Sequence, residues 1–284
     1  MQGFINENIH ETRNYTLLKD IYHNMLVPCF PDPEDHLTWK KIKSMAKNGI
    51  ENKNENARVL VTITKKLDEK GEGIPVSFIV GVYYRNSQTA LVAYLGLQGG
   101  CKGVSTLNLH TDMRIEMKKE AAKDGKKLRT IFSIVDLPEH ANPDFVTLSP
   151  VTRIVMMERF GATHIPIIFH YPMLKKRKLP FLKSRMELKN DAALLGYEID
   201  GTFTMDDPEA IKDFLDDYYA SFGINPKKIE MLNTMKAEVN KIPQDYVKKL
   251  SKHYRKTKKK VSEKIQALND FNPETLPHRK ILAK

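Results

Sequence analysis

Apolar positions along this chain follow two periods, and the change from one period to the other predicts where its elements lie. Continuous or alternating apolar runs rich in β-branched residues predict strands. Apolar residues three or four positions apart, between capping and stop signals, predict helices. The predicted strands cover residues 58–67, 76–85, 90–98, 127–135, 163–172 and 193–199. The predicted helices cover residues 17–26, 33–49, 104–122, 151–161 and 208–222, with further helical segments after residue 225.

The order of these elements predicts an α+β fold. An antiparallel meander comes first, and strand–helix–strand units follow it, which is typical of a mixed, mostly antiparallel sheet flanked by helices. We expect two parts: a folded domain over residues 1–222 and a basic, mostly helical extension over residues 223–284, whose helices are broken by prolines.

The charge is distributed unevenly between these two parts. The chain carries a formal net charge of +11. Between Lys227 and Lys264 there are 13 Lys or Arg and four acidic residues, so most of the excess lies in the extension. The body is close to neutral, and its charge says little about its chemistry. A charged tail of this kind suits an acidic partner, although a solvated basic helix is the commoner meaning of such a run.

The composition indicates in which cellular compartment the protein is expected. An apolar fraction of 41% allows a core, and no run approaches the ~18 apolar residues of a membrane span. The polar N-terminus lacks the apolar segment of a secretory signal. Two cysteines, Cys29 and Cys101, make neither a disulfide framework nor a metal cluster. We therefore expect a reduced, cytoplasmic protein without a metal site.

The segment "YLGLQGGCKGVSTL", which begins at Tyr94, holds the clearest chemical signal. An apolar strand turns through three glycines into the start of a predicted helix. Backbone N–H groups at a helix N-terminus bind phosphate well, and glycine at position 103 lets the backbone come close to a ligand. An ordinary glycine turn between a strand and a helix is the alternative interpretation.

The segment "GCKGVS" resembles the phosphate loop "RGKGVG" of the GNAT acetyltransferase superfamily. The resemblance extends over residues 15–222 and includes "RIVMMERFGATHIP", which is similar to a helix and turn of that family. It implies the GNAT fold and acetyl-coenzyme A as co-substrate. Gly100 stands where the family usually has Arg or Gln. The residues that would bind the coenzyme are Leu95, Leu97, Gly100, Cys101, Lys102, Gly103, Val104 and Ser105.

The same resemblance implies where the chemistry takes place. The family often uses a tyrosine as general acid at the position of Met157, and methionine cannot donate a proton. Tyr94, on the fourth strand of the family fold, is the substitute we expect to be catalytic, with a core tyrosine as the alternative. Glu34 lies where the family lines its acceptor pocket, and Asp136 follows the fifth strand, where it could face the cleft and bind the acceptor. Both residues also suit solvated loops. Tyr171 is assigned to the core or the surface.

Three functions follow from these observations. The first is an N-acetyltransferase that moves an acetyl group from acetyl-coenzyme A directly to an amine of a small molecule or peptide. The second is an acyl-coenzyme A-binding or regulatory protein that keeps the fold without catalysis, as Gly100 and Met157 suggest. The third is a protein that engages nucleic acid through "KKLSKHYRKTKKK" in the tail.

Overall fold

The sheet of this protein is built from strands of alternating direction with a single parallel pair in the middle. A computed structural model describes residues 4–31, 36–51, 55–98, 105–139, 148–173, 187–202, 204–243, 245 and 248. Its strands are β1 (Phe4–Asn8), β2 (Ala57–Leu67), β3 (Gly73–Tyr84), β4 (Thr89–Leu97), β5 (Thr130–Asp136), β6 (Ala162–Met173) and β7 (Glu187–Tyr197).

The helices lie over both faces of this sheet. They are α1 (Ile9–Thr12), α2 (Tyr15–Ile21), α3 (Val27–Cys29), α4 (Trp39–Glu51), α5 (Thr106–Lys123), α6 (Pro150–Arg159), α7 (Pro208–Ser221) and α8 (Glu230–Lys241). A π-helical segment, Tyr22–Leu26, joins α2 to α3.

The strand order is β1-β2-β3-β4-β5-β7-β6, and the β4–β5 pair is parallel while its neighbours are antiparallel. Helix α5 packs against β2, β3 and β4. Gly81 permits this close approach, because a Cβ there would lie 2.3 Å from the Cε atom of Met117. Helix α7 packs against β3 and β4, and its Phe214 ring stacks on Phe132 at 4.1 Å. Both sheet faces are thus covered by helices, as the continuous apolar runs indicated.

Each predicted strand is present, and the sheet also contains one that was missed. Strand β1 pairs with β2, so the strand that ends in the glycine loop is the fourth in the chain. The predicted end of helix α4 was wrong. The Asn48-Gly49 pair was expected to stop the helix, but α4 continues through Gly49 to Glu51. A glycine inside a helix costs only about 1 kcal/mol relative to alanine, so it does not by itself end a helix.

Helix α8 belongs with the body of the protein. The chain divides into two compact units, Met1–Lys241 and Ile242–Lys284. Leu232, Met235 and Val239 of α8 are buried, and the helix contacts α7 and β6. Most of the chain beyond Lys241, including the lysine-rich run of the tail, lies outside the described residues.

Candidate active site between strands four and five

Strands β4 and β5 run together for four residues and then separate. Their parallel pairing ends at Val92 and Ser133. At the same place the β3–β4 register shifts: Tyr94 faces Val80, Val92 faces Gly81, and Ala93 is the extra residue of a bulge. A bulge bends its strand and increases the local twist. The bend at Ala93 therefore opens a cleft between the carboxyl ends of the two strands.

This cleft has a volume of about 890 Å³. One wall is β4 from Val92 to the end of the strand, and the other is the end of β5 with Met156 and Met157 of α6. The α2–α3 region covers it and contributes Cys29, whose thiol pKa is raised by burial. The predicted residues Tyr94, Leu95, Leu97 and Asp136 all line the cleft.

The cleft reaches the N-terminus of α5. Thr106, the first residue of this 18-residue helix, lines it. Ser105 is the N-cap residue, and its hydroxyl accepts a hydrogen bond from the backbone N–H of Asn108 at 3.2 Å. The positive end of the helix dipole is therefore directed toward the cleft. Five residues predicted to bind phosphate (Gly100, Cys101, Lys102, Gly103 and Val104) and the predicted acceptor residue Glu34 lie outside the described residues.

Tyr94 stands where this cleft meets a second, smaller cavity. It lines both. Its hydroxyl oxygen accepts a hydrogen bond from the backbone N–H of Leu37 at 3.3 Å, and its ring packs edge-on against Phe30 at 5.2 Å. The side chain is partly exposed rather than buried in the core. Its position thus gives the phenol access to both cavities.

Three polar side chains meet at the same junction. Asp136 at the end of β5 accepts a hydrogen bond through Oδ1 from the hydroxyl of Tyr171 on β6, at 2.7 Å. Arg153 of α6 places Nη2 3.8 Å from Oδ2 of the same carboxylate. The sequence pattern indicated Asp136 but not Arg153, and Tyr171 was expected in the core or at the surface. Asp136, Arg153 and Tyr171 are separated in the sequence, so no motif indicated that they would lie together.

The position of the family's usual tyrosine carries no hydroxyl here. Met157 is buried, and its sulfur accepts a hydrogen bond from the hydroxyl of Tyr197 at 3.0 Å. Burial raises the pKa of the Tyr197 phenol, which also lies 3.2 Å from the hydroxyl of Ser133. Tyr197 is therefore held in the core behind the cleft, and Tyr94 is the tyrosine that lines it.

A possible ligand set for a metal lies away from this cleft. In the described part of the chain, His10, Glu11 and Glu116 have ligand atoms within 4.8 Å of one another. Glu116 already receives the ammonium of Lys119 at 2.7 Å and the ring of His10 at 3.2 Å. These contacts within the protein account for the position of Glu116.

The topology and the cleft define a class of fold. The fourth strand separates from a parallel fifth strand and leads to helix α5. This is the arrangement of the GNAT fold that the sequence resemblance implied. The chain has the GNAT fold, in the mixed, mostly antiparallel form that was expected.

Comparisons with solved structures give distant matches. A protein described as a candidate GNAT-family acetyltransferase from Bacteroides thetaiotaomicron is 15% identical, covering 78% of this chain and 99% of that chain, with a TM-score of 0.44. The aminoglycoside 6'-N-acetyltransferase from Enterococcus faecium is 14% identical, covering 68% and 96%, with a TM-score of 0.39. The catalytic domain of a Tetrahymena histone acetyltransferase, solved with coenzyme A, is 13% identical, covering 70% and 96%, with a TM-score of 0.33.

No protein-family model and no curated protein sequence matches the chain. Among the described residues, none of the helices combines the length and the apolar character that a membrane crossing requires.

Proposed function

We propose that this protein is an acetyl-coenzyme A-dependent N-acetyltransferase that moves the acetyl group directly to an amine. The observation that carries this proposal is the cleft between β4 and β5. On the β5 side, β4 has no strand partner after Val92 in the described part of the chain. Its backbone from Ala93 to Leu97 therefore lines a cavity in which N–H and C=O groups can bind a ligand that runs alongside the strand.

The two ends of this cleft suit the two ends of the coenzyme. At the α5 end, the N–H groups of the helix N-terminus and the helix dipole would hold the pyrophosphate. At the other end, the backbone of residues 95–97 would hold the thioester. A preorganised N–H group there would stabilise the oxyanion that forms when the amine attacks. The cleft volume of about 890 Å³ accommodates the long arm of the coenzyme.

The reaction removes two protons from the protonated amine and supplies one to the thiol. The ammonium must lose a proton to become a nucleophile; its nitrogen then bonds to the acetyl carbon and loses a second proton, and the carbon–sulfur bond breaks. The thiolate that leaves must receive a proton. Tyr94 is the residue we propose for this last step, because its phenol lies at the junction of the two cavities.

Calorimetry with acetyl-coenzyme A, followed by thiol-release assays with a panel of amines, tests the proposal. We expect binding and amine-dependent release of coenzyme A. An absence of binding would refute the proposal. Binding without turnover on any amine would favour the second function, a coenzyme-binding protein without catalysis, which the methionine at position 157 motivates.

A further inference from the structure

The second cavity differs from the cleft in size and lining. Its volume is about 170 Å³, and its walls are mostly apolar, among them Met45 of α4, Tyr84 of β3 and Tyr218 of α7. Burial raises the pKa of both phenols, so they remain neutral. An apolar cavity of about 150 Å³ takes a benzene molecule. This cavity therefore has room for one apolar group the size of a single ring or a branched chain.

A carboxylate and a guanidinium lie together where this cavity meets the cleft. The side chains of Asp136 and Arg153 are 13% and 24% exposed, so water screens them weakly. Their closest nitrogen and oxygen are 3.8 Å apart, which is too long for a hydrogen bond. Among the described residues, Nε of Arg153 is buried without a hydrogen-bond partner. Both groups thus have hydrogen-bonding capacity left for a ligand.

Tyr171 fixes the orientation of this pair. Its hydroxyl donates to Oδ1 of Asp136, which leaves Oδ2 directed toward Arg153. One negative and one positive group then stand side by side at the entrance to an apolar cavity. An α-amino acid carries the complementary arrangement: an ammonium, a carboxylate and a side chain on one carbon atom.

We propose that the acceptor is a free α-amino acid with an apolar side chain of about the size of leucine or phenylalanine. This inference rests on the proposed acetyltransferase function. Arg153 binds the carboxylate through its planar array of donors, a geometry that lysine cannot reproduce. Asp136 binds the ammonium, and the second cavity takes the side chain.

The chemistry balances with these residues. The ammonium gives one proton to Asp136, from which it passes to solvent, and the free amine attacks the acetyl carbon. The nitrogen then loses a second proton to solvent, and the carbon–sulfur bond breaks as the thiolate takes the proton of Tyr94, which solvent restores. The products are an N-acetylamino acid and coenzyme A. Polycationic acceptors are disfavoured, because a second positive charge would meet Arg153 and an apolar wall.

A matched set of substrates tests this proposal in the full-length protein. The value of kcat/KM is measured by thiol release for phenylalanine, phenylalaninamide, phenethylamine, glycine and spermidine. We expect phenylalanine to exceed each of the others by about tenfold or more, the size of one hydrogen-bonded charge contact. The amide and phenethylamine lack only the carboxylate, and glycine lacks only the side chain.

Single-residue variants test which side chains determine the preference for phenylalanine. Arg153→Gln and Arg153→Lys should raise KM for phenylalanine by about ten- to a hundredfold and remove the preference for the acid over its amide. Arg159→Gln, an exposed change on the same helix, is the control. Asp136→Asn should raise KM for every amine, and the exposed Glu139→Gln should not. Met45→Trp should block phenylalanine more than glycine, with Met45→Leu as its control.

The outcomes distinguish a failure of the acceptor assignment from a failure of the proposed acetyltransferase function. If acetyl-coenzyme A binds and amines are acetylated, but amides or polyamines react as well as amino acids, the acceptor assignment is overturned and the acetyltransferase stands. The same conclusion follows if Arg153→Gln keeps the wild-type preference while its melting temperature shows a folded protein. If acetyl-coenzyme A does not bind, both proposals fail.

Discussion

His110 shows how far the surroundings of one residue set its chemistry. The imidazole is fully buried on α5 between the rings of Phe160 and Tyr197. Burial, reinforced by the charge of Arg114, lowers its pKa to about 3. Neither ring nitrogen has a hydrogen-bond partner among the described residues. The folded protein therefore holds a neutral histidine in its core.

This neutral histidine predicts a loss of stability in acid. Above about pH 6.5 the imidazole is neutral in both folded and unfolded chains, so it adds no pH dependence. Below that pH the unfolded chain binds a proton that the folded protein does not. The free energy of unfolding should then fall by up to about 1.4 kcal/mol per pH unit toward pH 3. Denaturant titrations of wild type and His110→Phe measure this slope.

We expect the His110→Phe variant to lose that part of the slope, and the exposed His23→Gln variant to keep it. Equal slopes in wild type and His110→Phe would show that the buried histidine is not the group responsible.

Tyr94 carries the second residue-scale prediction. If its phenol protonates the thiolate, Tyr94→Phe should lower kcat by about 10²–10⁴-fold, the usual size of general acid catalysis. The affinity for coenzyme A should change little, because the ring and its contact with Phe30 remain. Steady-state kinetics and calorimetry give the two quantities. A loss in kcat below about threefold would mean that the tyrosine only packs against its neighbours.

At the scale of elements, the loop after β4 gives a direct test of coenzyme binding. Acetyl-coenzyme A should raise the melting temperature, since a ligand that binds only the folded state stabilises it. Gly103→Glu should abolish that rise, because its side chain would fill the phosphate site and its charge would repel the pyrophosphate. Gly103→Ala, which adds only a methyl group, should keep part of it. An undiminished shift in a folded Gly103→Glu protein would contradict the assignment of the loop.

Elements with a strong hydrophobic pattern could be predicted from the sequence, and polar ones could not. Strand β2 is buried over most of its length, so its apolar run was unambiguous. Strand β1, "FINEN", has exposed Phe4 and Ile5 and attaches through polar contacts. Its Asn6 and Asn8 accept hydrogen bonds from the hydroxyls of Thr64 and Thr62. Nothing in an apolar pattern marks such a strand.

Some residues of the candidate site could likewise be predicted from the sequence, and others could not. Tyr94 and Asp136 could be assigned to the cleft from the sequence, because each lies on or beside an apolar strand whose place in the fold could be expected. Arg153 and Tyr171 come from a helix and a strand that only the sheet order brings beside Asp136. The cleft itself depends on the bulge at Ala93, which has no residue signature.

At the scale of the whole molecule, the contacts of α8 place it with the folded unit Met1–Lys241. Glu238 of α8 accepts a hydrogen bond from the backbone N–H of Ile168 on β6, the last strand of the sheet. The helix thus covers an edge strand that would otherwise present unpaired backbone groups.

Two truncations separate the role of α8 from that of the tail. A chain ending at Lys241 should keep the wild-type melting temperature and the shift caused by acetyl-coenzyme A. A chain ending at Gly223 should melt several degrees lower, since it loses the buried Leu232, Met235 and Val239. Differential scanning fluorimetry compares them. Equal melting temperatures for the two chains would contradict the packing role of α8.

The strand order also governs how this protein can assemble while it is being synthesised. Strand β7 lies between β5 and β6 in the sheet, although it is made after both. A nascent chain that has emerged only as far as Met173 therefore holds β6 without its neighbour, and it leaves the β5 edge open. The β1–β5 half can pair beforehand, and β7 completes the sheet by pairing with both β5 and β6. We therefore expect chaperones to be needed most while the ribosome-bound chain contains β6 but not yet β7, because its strand edges are then unpaired.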